Sequence, residues 1–218
     1  MLRLLIALAV GFCIGAVSYR TATKVIPQRT TATAAPANPY YETRRSIFAQ
    51  VGGHFPIVFV GDSITEQGPW HELLQCHAIA NRGIGSDTTA GLLNRVDDIV
   101  ALKPETVFVM IGINDIAKGL PVDLAANNIA QAVNRLSEHA KVYLIETLPT
   151  ASTYRNGELN PHVADLNTQV AKLSPTAETI RLQITDAHFG HDGLHLNGRG
   201  YAVWRDAISG KIKCRTSP

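Results

Sequence analysis

The stretch "IVFVGDSITEQG" (57–68) passes from four consecutive apolar residues into the triplet Gly61-Asp62-Ser63 and then becomes polar. An apolar run without alternating polar positions is typical of a strand that is buried on both faces. Gly, Asp and Ser are also common turn formers, so the triplet alone does not separate a nucleophilic serine from the end of a strand. The distinction depends on what the rest of the chain contains.

Further apolar runs follow this first strand, and helical patterns separate them. The runs that predict strands are 57–60, 77–83, 106–112, 141–147 and 179–185. Apolar residues at helical spacing predict helices over 88–102, 122–140 and 160–174, and a closing helix follows Asn197. Doubly buried strands that alternate with helices indicate a parallel sheet with helices on both sides. We therefore predict a three-layer α/β/α sandwich with a mostly parallel five-stranded sheet, formed by one domain over residues 45–218.

The N-terminal part of the chain has a different composition. Residues 4–17 are apolar and carry no charge, which predicts a signal peptide or an N-terminal membrane anchor over residues 1–20. Residues 21–44 are rich in Thr, Ala and Pro and predict a flexible linker. We expect an exported domain, either periplasmic or attached to the membrane through residues 4–17 with the domain outside the cytoplasm. Cleavage of the segment and its orientation stay open.

Composition and cysteine content exclude several classes of function. The formal net charge is +2, so no basic face accumulates and a nucleic-acid partner is not expected. The three cysteines, Cys13, Cys76 and Cys214, match no metal-binding spacing. In an oxidising compartment Cys76 and Cys214 could form a disulfide. The equal alternative is that both remain unpaired and act as small buried hydrophobic residues.

Polar residues concentrate after the predicted strands, where ligands of a parallel sheet bind. Ser63 follows the first strand, the Gly-rich "NRGIGSDTT" (81–89) the second, and Asn114 the third, while Asp192 and His195 precede the closing helix. A nucleophilic serine requires a base, a group that orients the base, and donors for the oxyanion. Asp192 and His195 can face the same side of one turn, and an amide or a backbone N–H can supply the donors.

The ordered blocks "GDS", "GIND" and "DGLH" resemble those of the SGNH (GDSL) hydrolase superfamily over about residues 55–205. This resemblance implies that Ser63 is the nucleophile, His195 the base and Asp192 its orienting partner. It also implies that the N–H of Ser63 and the side chain of Asn114 contribute to the oxyanion hole. The fold that it implies, SGNH or flavodoxin-like, agrees with the predicted sandwich.

The superfamily has a further block between "GDS" and "GIND", which here falls within "NRGIGSDTT" (81–89), and at this block the chain departs from the superfamily pattern. Many members have Gly directly before the Asp-Thr that begins the next helix, and here that position is Ser86. A backbone donor does not require Gly, so the N–H near Ser86 is expected in the oxyanion hole if Ser86 adopts the same conformation. We also expect Asp87 to cap the following helix.

Alternatives for the chemistry are a different base and a metal. His188 or His191 could be the base in place of His195. The spacing of His195 from Asp192 and its position in the "DGLH" block favour His195. A metal hydrolase would need a ligand motif such as HExxH, which is missing, so neither a metal site nor an organic cofactor is expected.

The resulting functional hypothesis is a serine esterase or acylhydrolase that forms an acyl-enzyme intermediate. We expect short acyl esters, acetyl above all, on a small molecule or a glycan, with the loop 148–161 lining the pocket through Tyr154 and Arg155. The alternatives are a lysophospholipase or thioesterase of the same fold and, from another class, a catalytically silent protein that binds acyl groups or glycans.

Overall fold

The computed structural model describes residues 39–214. The predicted signal peptide or anchor (1–20) and residues 21–38 of the predicted linker lie outside this part of the chain. Within residues 39–214 no helix is long and apolar enough to cross a membrane.

The centre of the domain is a sheet of five strands that are all parallel. The strands are β1 (Ile57–Gly61), β2 (Ile79–Gly83), β3 (Thr106–Met110), β4 (Lys141–Ile145) and β5 (Glu178–Ile180), in the spatial order β2-β1-β3-β4-β5. β1 and the apolar part of β3 are buried on both faces, as their uninterrupted apolar sequences indicate. The prediction of a parallel five-stranded sheet is confirmed.

Helices cover both faces of the sheet and complete the predicted α/β/α sandwich. They are α1 (Pro39–Gln50), α2 (Ser63–Glu66), α3 (Trp70–Leu74), α4 (Thr89–Asn94), α5 (Val96–Val100), α6 (Ile113–Ala117), α7 (Val122–Ser137), α8 (Asn160–Leu173) and α9 (Gly198–Ile208). α7 contacts α4, α5 and α8, whereas α3 contacts α9.

One face of the sheet carries a row of stacked aromatic rings that holds α3 and α9. Phe59, Phe108 and Tyr143 occupy matching positions on β1, β3 and β4, with ring centroids 4.9 and 5.1 Å apart. Trp70 of α3 stacks on Phe59 at 4.1 Å, and Trp204 of α9 meets Trp70 edge-on at 4.8 Å. This packing fixes α9 against the sheet, and the segment that precedes α9 carries the third sequence block.

Three predicted boundaries need correction. Residues 39–44, assigned to the linker, form the first half of α1, because Tyr41 is buried there and its hydroxyl donates to the carbonyl of Gly91 at 2.8 Å. The single helix predicted over 88–102 is two helices, α4 and α5, which meet at Arg95. The last strand pairs only over Glu178–Ile180, not 179–185, because β4, its neighbour in the sheet, ends at Ile145, which pairs with Ile180.

The two cysteines within this part of the chain form a disulfide. Cys76, which follows α3, is bonded to Cys214 near the C-terminus, with a Cα–Cα distance of 5.7 Å. The pairing that the sequence left open is therefore present.

Candidate active site

Ser63 is placed by an abrupt change from strand to helix. Gly61 ends β1 where a Cβ atom would lie 2.1 Å from the carbonyl oxygen of Met110 on β3, so only glycine fits. Asp62 has an extended backbone and caps α2, and its Oδ1 accepts the N–H of Ile64 at 3.0 Å. Ser63 is therefore the first residue of α2, and its own N–H has no partner within the helix.

The structure brings Ser63, His195 and Asp192 together in one chain of contacts. Ser63 Oγ lies 2.9 Å from His195 Nε2, and His195 Nδ1 lies 2.5 Å from Asp192 Oδ2. Because an ionised carboxylate only accepts hydrogen bonds, Nδ1 carries the proton and Nε2 is left to accept the serine hydroxyl. This arrangement can take a proton from Ser63 during nucleophilic attack.

A tight turn holds Asp192 and His195 in this geometry. Asp192 Oδ1 accepts the backbone N–H groups of Leu194 and His195, each at 3.0 Å, and Gly193 between them has a φ of 68°. Asn197 caps α9 and donates through Nδ2 to the carbonyl of Phe189 at 2.8 Å. Both sides of the turn are thus hydrogen-bonded to neighbouring backbone.

The electrostatics of the turn favour an ionised Asp192. Partial burial opposes ionisation, but the hydrogen bonds from the His195 ring and from the N–H groups of Leu194 and His195 outweigh it and hold the pKa of Asp192 below its ordinary value. A negative Asp192 can stabilise the imidazolium that forms when His195 accepts a proton.

The other two histidines of this segment do different things. His188 Nδ1 accepts the N–H of Thr185 at 2.9 Å and so closes a short 3₁₀ turn, Asp186–His188. His191 is exposed. Of the three candidate bases, His195 is the one in contact with Ser63.

The turn after β2 has the backbone conformation that its sequence left in question. Ser86 has a φ of 59°, in the left-handed region that glycine adopts most easily. Among residues 39–214 no partner accepts the Ser86 N–H, while the Ser86 carbonyl accepts from Lys118 Nζ at 3.2 Å. The side chain of Asn114 donates one amide hydrogen to the carbonyl of Asp87 at 2.9 Å and keeps a second for another acceptor.

A buried ion pair ties this turn to the sheet. Arg95 Nη2 lies 2.8 Å from Asp87 Oδ2, and both side chains are almost fully buried. Arg95 also donates to the carbonyls of Arg82 at 2.6 Å and Gly61 at 2.9 Å, at the carboxyl ends of β2 and β1. The expectation that Asp87 caps α4 is wrong, because Thr88 is the cap and accepts from Gly91 N–H.

Arg95 was missed as a site residue although the sequence holds a signal for it. It stands three residues after Leu92 and four before Ile99, on the apolar side of the predicted helix. A charged residue in such a position is expected to have a buried partner.

Three carboxyl groups within the sequence blocks are buried, those of Asp62, Asp87 and Asp115. Burial raises the pKa of Asp62 to about 7, and the negative charges of Asp87 and Asp115 add to this shift. Burial also raises the pKa of Asp115, whose carboxylate accepts the N–H and the hydroxyl of Thr89. Within the described part of the chain, no group of three or more His, Cys, Asp or Glu side chains is arranged to hold a metal ion.

The loop 148–161 connects two parts of the site. Ala151 N–H donates to the carbonyl of Gly193 at 2.8 Å, and Arg155 Nη1 donates to the carbonyl of Ala117 in α6 at 3.2 Å. Tyr154 is half-buried and lies against Gly193, where a Cβ would be 3.1 Å from the Cβ of Tyr154. The loop therefore spans from the Asp192 turn to the helix that carries Asn114.

Comparison with known proteins agrees with this architecture. The model of the GDSL-like lipase/acylhydrolase family matches residues 59–203. A chain from Streptococcus pneumonia described as a platelet activating factor is 26% identical with a TM-score of 0.67, covering 79% of this chain and 91% of that chain. A search of curated proteins finds no match.

Two further solved structures share the fold at lower identity. A chain from Bacteroides fragilis described as an acylhydrolase is 24% identical with a TM-score of 0.68, and the match covers 80% of this chain and 97% of that chain. The acetylxylan esterase from Geobacillus stearothermophilus is 18% identical with a TM-score of 0.61, covering 77% of this chain and 99% of that chain.

Proposed function

Since this chain belongs to the GDSL-like lipase/acylhydrolase family and is a carboxylic ester hydrolase, we propose that it cleaves short acyl esters through an acyl-enzyme formed on Ser63. The observation that carries the proposal is the continuous contact from Ser63 Oγ to His195 Nε2 and from His195 Nδ1 to Asp192. Neither a metal nor an organic cofactor takes part in the proposed reaction.

In the first half of the reaction, Ser63 Oγ attacks the ester carbonyl carbon while its proton passes to His195 Nε2. The negative charge of Asp192 stabilises the imidazolium that results. The N–H groups of Ser63 and Ser86 and the amide of Asn114 donate to the oxyanion. When the tetrahedral intermediate collapses, His195 returns its proton to the departing alcohol oxygen.

In the second half, water replaces the alcohol. His195 Nε2 takes a proton from the water as its oxygen attacks the acyl-enzyme carbonyl carbon, and the same donors again hold the oxyanion. Collapse of this second intermediate returns the proton to Ser63 Oγ and releases the carboxylic acid.

The proposed substrate class is a short acyl ester, acetyl above all, on a small molecule or a carbohydrate. The loop 148–161 supports this choice, because hydrogen bonds at Ala151 and Arg155 attach it at both sides of the site and leave it little freedom to open for a long chain. An acetylxylan esterase is among the proteins with a similar fold. The proposal also places the domain outside the cytoplasm, which the Cys76–Cys214 disulfide and the apolar segment 4–17 support.

The catalytic assignment is tested with Ser63→Ala and His195→Ala. Each variant should lose ester turnover by on the order of 10⁴-fold or more without unfolding, because each removes a member of the proton-transfer unit. Ser209→Ala, which changes an exposed serine near the C-terminus, is the matched control. Near-wild-type turnover in either active-site variant would overturn the assignment, and failure of a fluorophosphonate to label Ser63 would favour a silent binding protein.

The substrate class is tested with p-nitrophenyl esters from acetyl to dodecanoyl, together with acetylated xylo-oligosaccharides. We expect kcat/KM to be highest for acetyl and to fall as the acyl chain lengthens. A rise with chain length would instead assign a lysophospholipase or a thioesterase.

A further inference from the structure

The side chain of Glu66 connects three parts of the molecule next to the active site. It lies on α2, three residues after Ser63, and its Oε2 accepts the N–H of Gly85 at 2.7 Å. Its Oε1 accepts the hydroxyl of Tyr40 at 2.7 Å and lies 2.8 Å from Arg44 Nε. Tyr40 and Arg44 belong to α1, so this carboxylate joins α1 to the turn that contains Ser86.

The contact with Gly85 restricts the peptide that presents the Ser86 N–H. A Cβ on Gly85 would lie 3.1 Å from both Glu66 Oε2 and a ring carbon of Tyr40, so the turn is packed closely against these two side chains. The next residue, Ser86, holds a φ of 59°, which costs free energy for a residue with a side chain. Something must hold the turn in this conformation, and the hydrogen bond from Gly85 N–H to Glu66 does so on the side facing α2.

The charge of Glu66 also requires compensation. The carboxylate of Glu66 binds Gly85, the residue directly before the oxyanion donor Ser86. Its negative charge would repel the negative charge that develops on the substrate oxygen. The guanidinium of Arg44 lies against the same carboxylate and offsets this repulsion. Helix α1 therefore supplies both a hydrogen bond and a counter-charge to Glu66.

α1 is itself fixed to the domain at two other points. Tyr41 donates to the carbonyl of Gly91, and Arg45 pairs with Asp98 at 2.8 Å. The family match covers residues 59–203, so α1 lies outside it and this support comes from a segment that the family model does not include.

We propose that Glu66 is a positioning residue for the oxyanion hole and that Tyr40 and Arg44 of α1 hold and neutralise it, an inference that rests on the proposed esterase function. Glu66 does not touch the reacting atoms. It acts through Gly85 on the placement of the Ser86 N–H.

The test compares Glu66→Ala, Glu66→Gln, Arg44→Ala and the double variant Glu66→Gln/Arg44→Ala with p-nitrophenyl acetate. Active sites are counted with a fluorophosphonate, so that kcat refers only to folded enzyme. Glu66→Ala should lower kcat by about 10-fold or more, because a displaced donor stabilises the oxyanion less, while KM stays within about 2-fold. Glu66→Gln keeps an acceptor for Gly85 N–H and should restore most of kcat.

Arg44→Ala isolates the role of charge. It should lower kcat when Glu66 is present and have little further effect in the Glu66→Gln background, where no carboxylate needs a partner. Arg45→Ala, which removes the other ion pair of α1 without touching Glu66, should leave kcat within about 2-fold of wild type. Affinity for a phenylboronic acid, whose tetrahedral adduct places an oxygen in the oxyanion hole, should fall in parallel with kcat.

Two results would overturn the inference. One is a wild-type kcat per active site in Glu66→Ala, even if its melting temperature is lower. Another is an Arg44→Ala substitution that lowers kcat equally in the wild-type and Glu66→Gln backgrounds. This second comparison decides the matter if Glu66→Ala does not fold. If the wild-type protein hydrolyses no ester, the proposed function fails instead, and the two failures are thereby distinguished.

Discussion

At the scale of single residues, strain and burial concentrate around Ser63. Ser86 occupies a left-handed conformation, and Asp62 is fully buried with an Oδ2 atom that has no hydrogen-bond partner among the described residues. Such features cost free energy and persist where the surrounding structure determines them, often at functional sites. Both lie within sequence blocks that the resemblance had singled out.

The first residue-scale prediction concerns Ser86. Ser86→Gly should raise the free energy of unfolding by up to about 1 kcal/mol, because glycine has no Cβ to clash at φ 59°, although the greater freedom of the unfolded chain offsets part of the gain. Urea denaturation measures the change. Ser86→Ala keeps the Cβ and serves as the control. A Gly variant less stable than the Ala variant would contradict the claim that a Cβ at this position is strained.

The second residue-scale prediction concerns the pH dependence that Asp62 causes. Its pKa of about 7 in the folded protein is above the ordinary value, so the folded state binds more protons between about pH 4 and about pH 7. Asp62 therefore lowers the free energy of unfolding as pH rises through this range, by at most about 1.4 kcal/mol per pH unit.

Asp62→Asn removes this titration and keeps an oxygen for the N–H of Ile64. Relative to wild type, the variant should gain stability as pH rises from about 4 to about 7, measured by urea denaturation at each pH. Parallel stability curves for the two proteins would show that Asp62 does not titrate in this range.

At the scale of elements, Arg95 explains why α4 and α5 are separate helices. Its backbone leaves the helical conformation with φ −116° and ψ 13°, and its side chain turns to Asp87 and to the ends of β1 and β2. Local periodicity predicts one helix over 88–102, since the partners of Arg95 come from other elements. The connection stabilises the turn that carries Ser86.

Breaking this ion pair should be costly. Arg95→Met leaves Asp87 buried without a counter-charge and should lower the free energy of unfolding by about 3–5 kcal/mol. Adding Asp87→Asn should recover part of that loss because it removes the unpaired charge. Arg135→Met is the control, since its ion pair with Asp97 is exposed and should contribute less than about 1 kcal/mol. Equal losses in both single variants would contradict the role of burial.

At the scale of the whole molecule, the disulfide links parts of the chain that are 138 residues apart. Cys214→Ser should lower the free energy of unfolding by about 2–4 kcal/mol, mainly because the unfolded chain regains the freedom of a long loop. Reduction of wild type with dithiothreitol should shift the melting temperature to that of the variant. A wild-type melting temperature that does not respond to reductant would contradict this prediction.

The agreement between sequence and structure is closest in the interior of the sheet and weakest at its edge. β1 and β3 are recognisable from apolar runs because both of their faces are buried. The run 179–185 has an alternating rather than a continuously apolar character, and its pairing stops at Ile180 because β4, its neighbour in the sheet, ends at Ile145. In the same way, residues 39–44 read as linker because the carbonyl of Gly91, which accepts the hydroxyl of Tyr41, lies 50 positions away.

By itself the sequence determined the class of fold and the residue types at the strand ends, because strand and helix periodicities and the ordered blocks are local properties. It pointed to Ser63, Asp192 and His195, and it left open the conformation of Ser86 and the pairing of Cys76. Only the tertiary structure decided the contacts, such as the one between Ser63 and His195 across 132 positions and that between Glu66 and Gly85. The order of strands in the sheet determines which distant residues meet, and no local pattern encodes it.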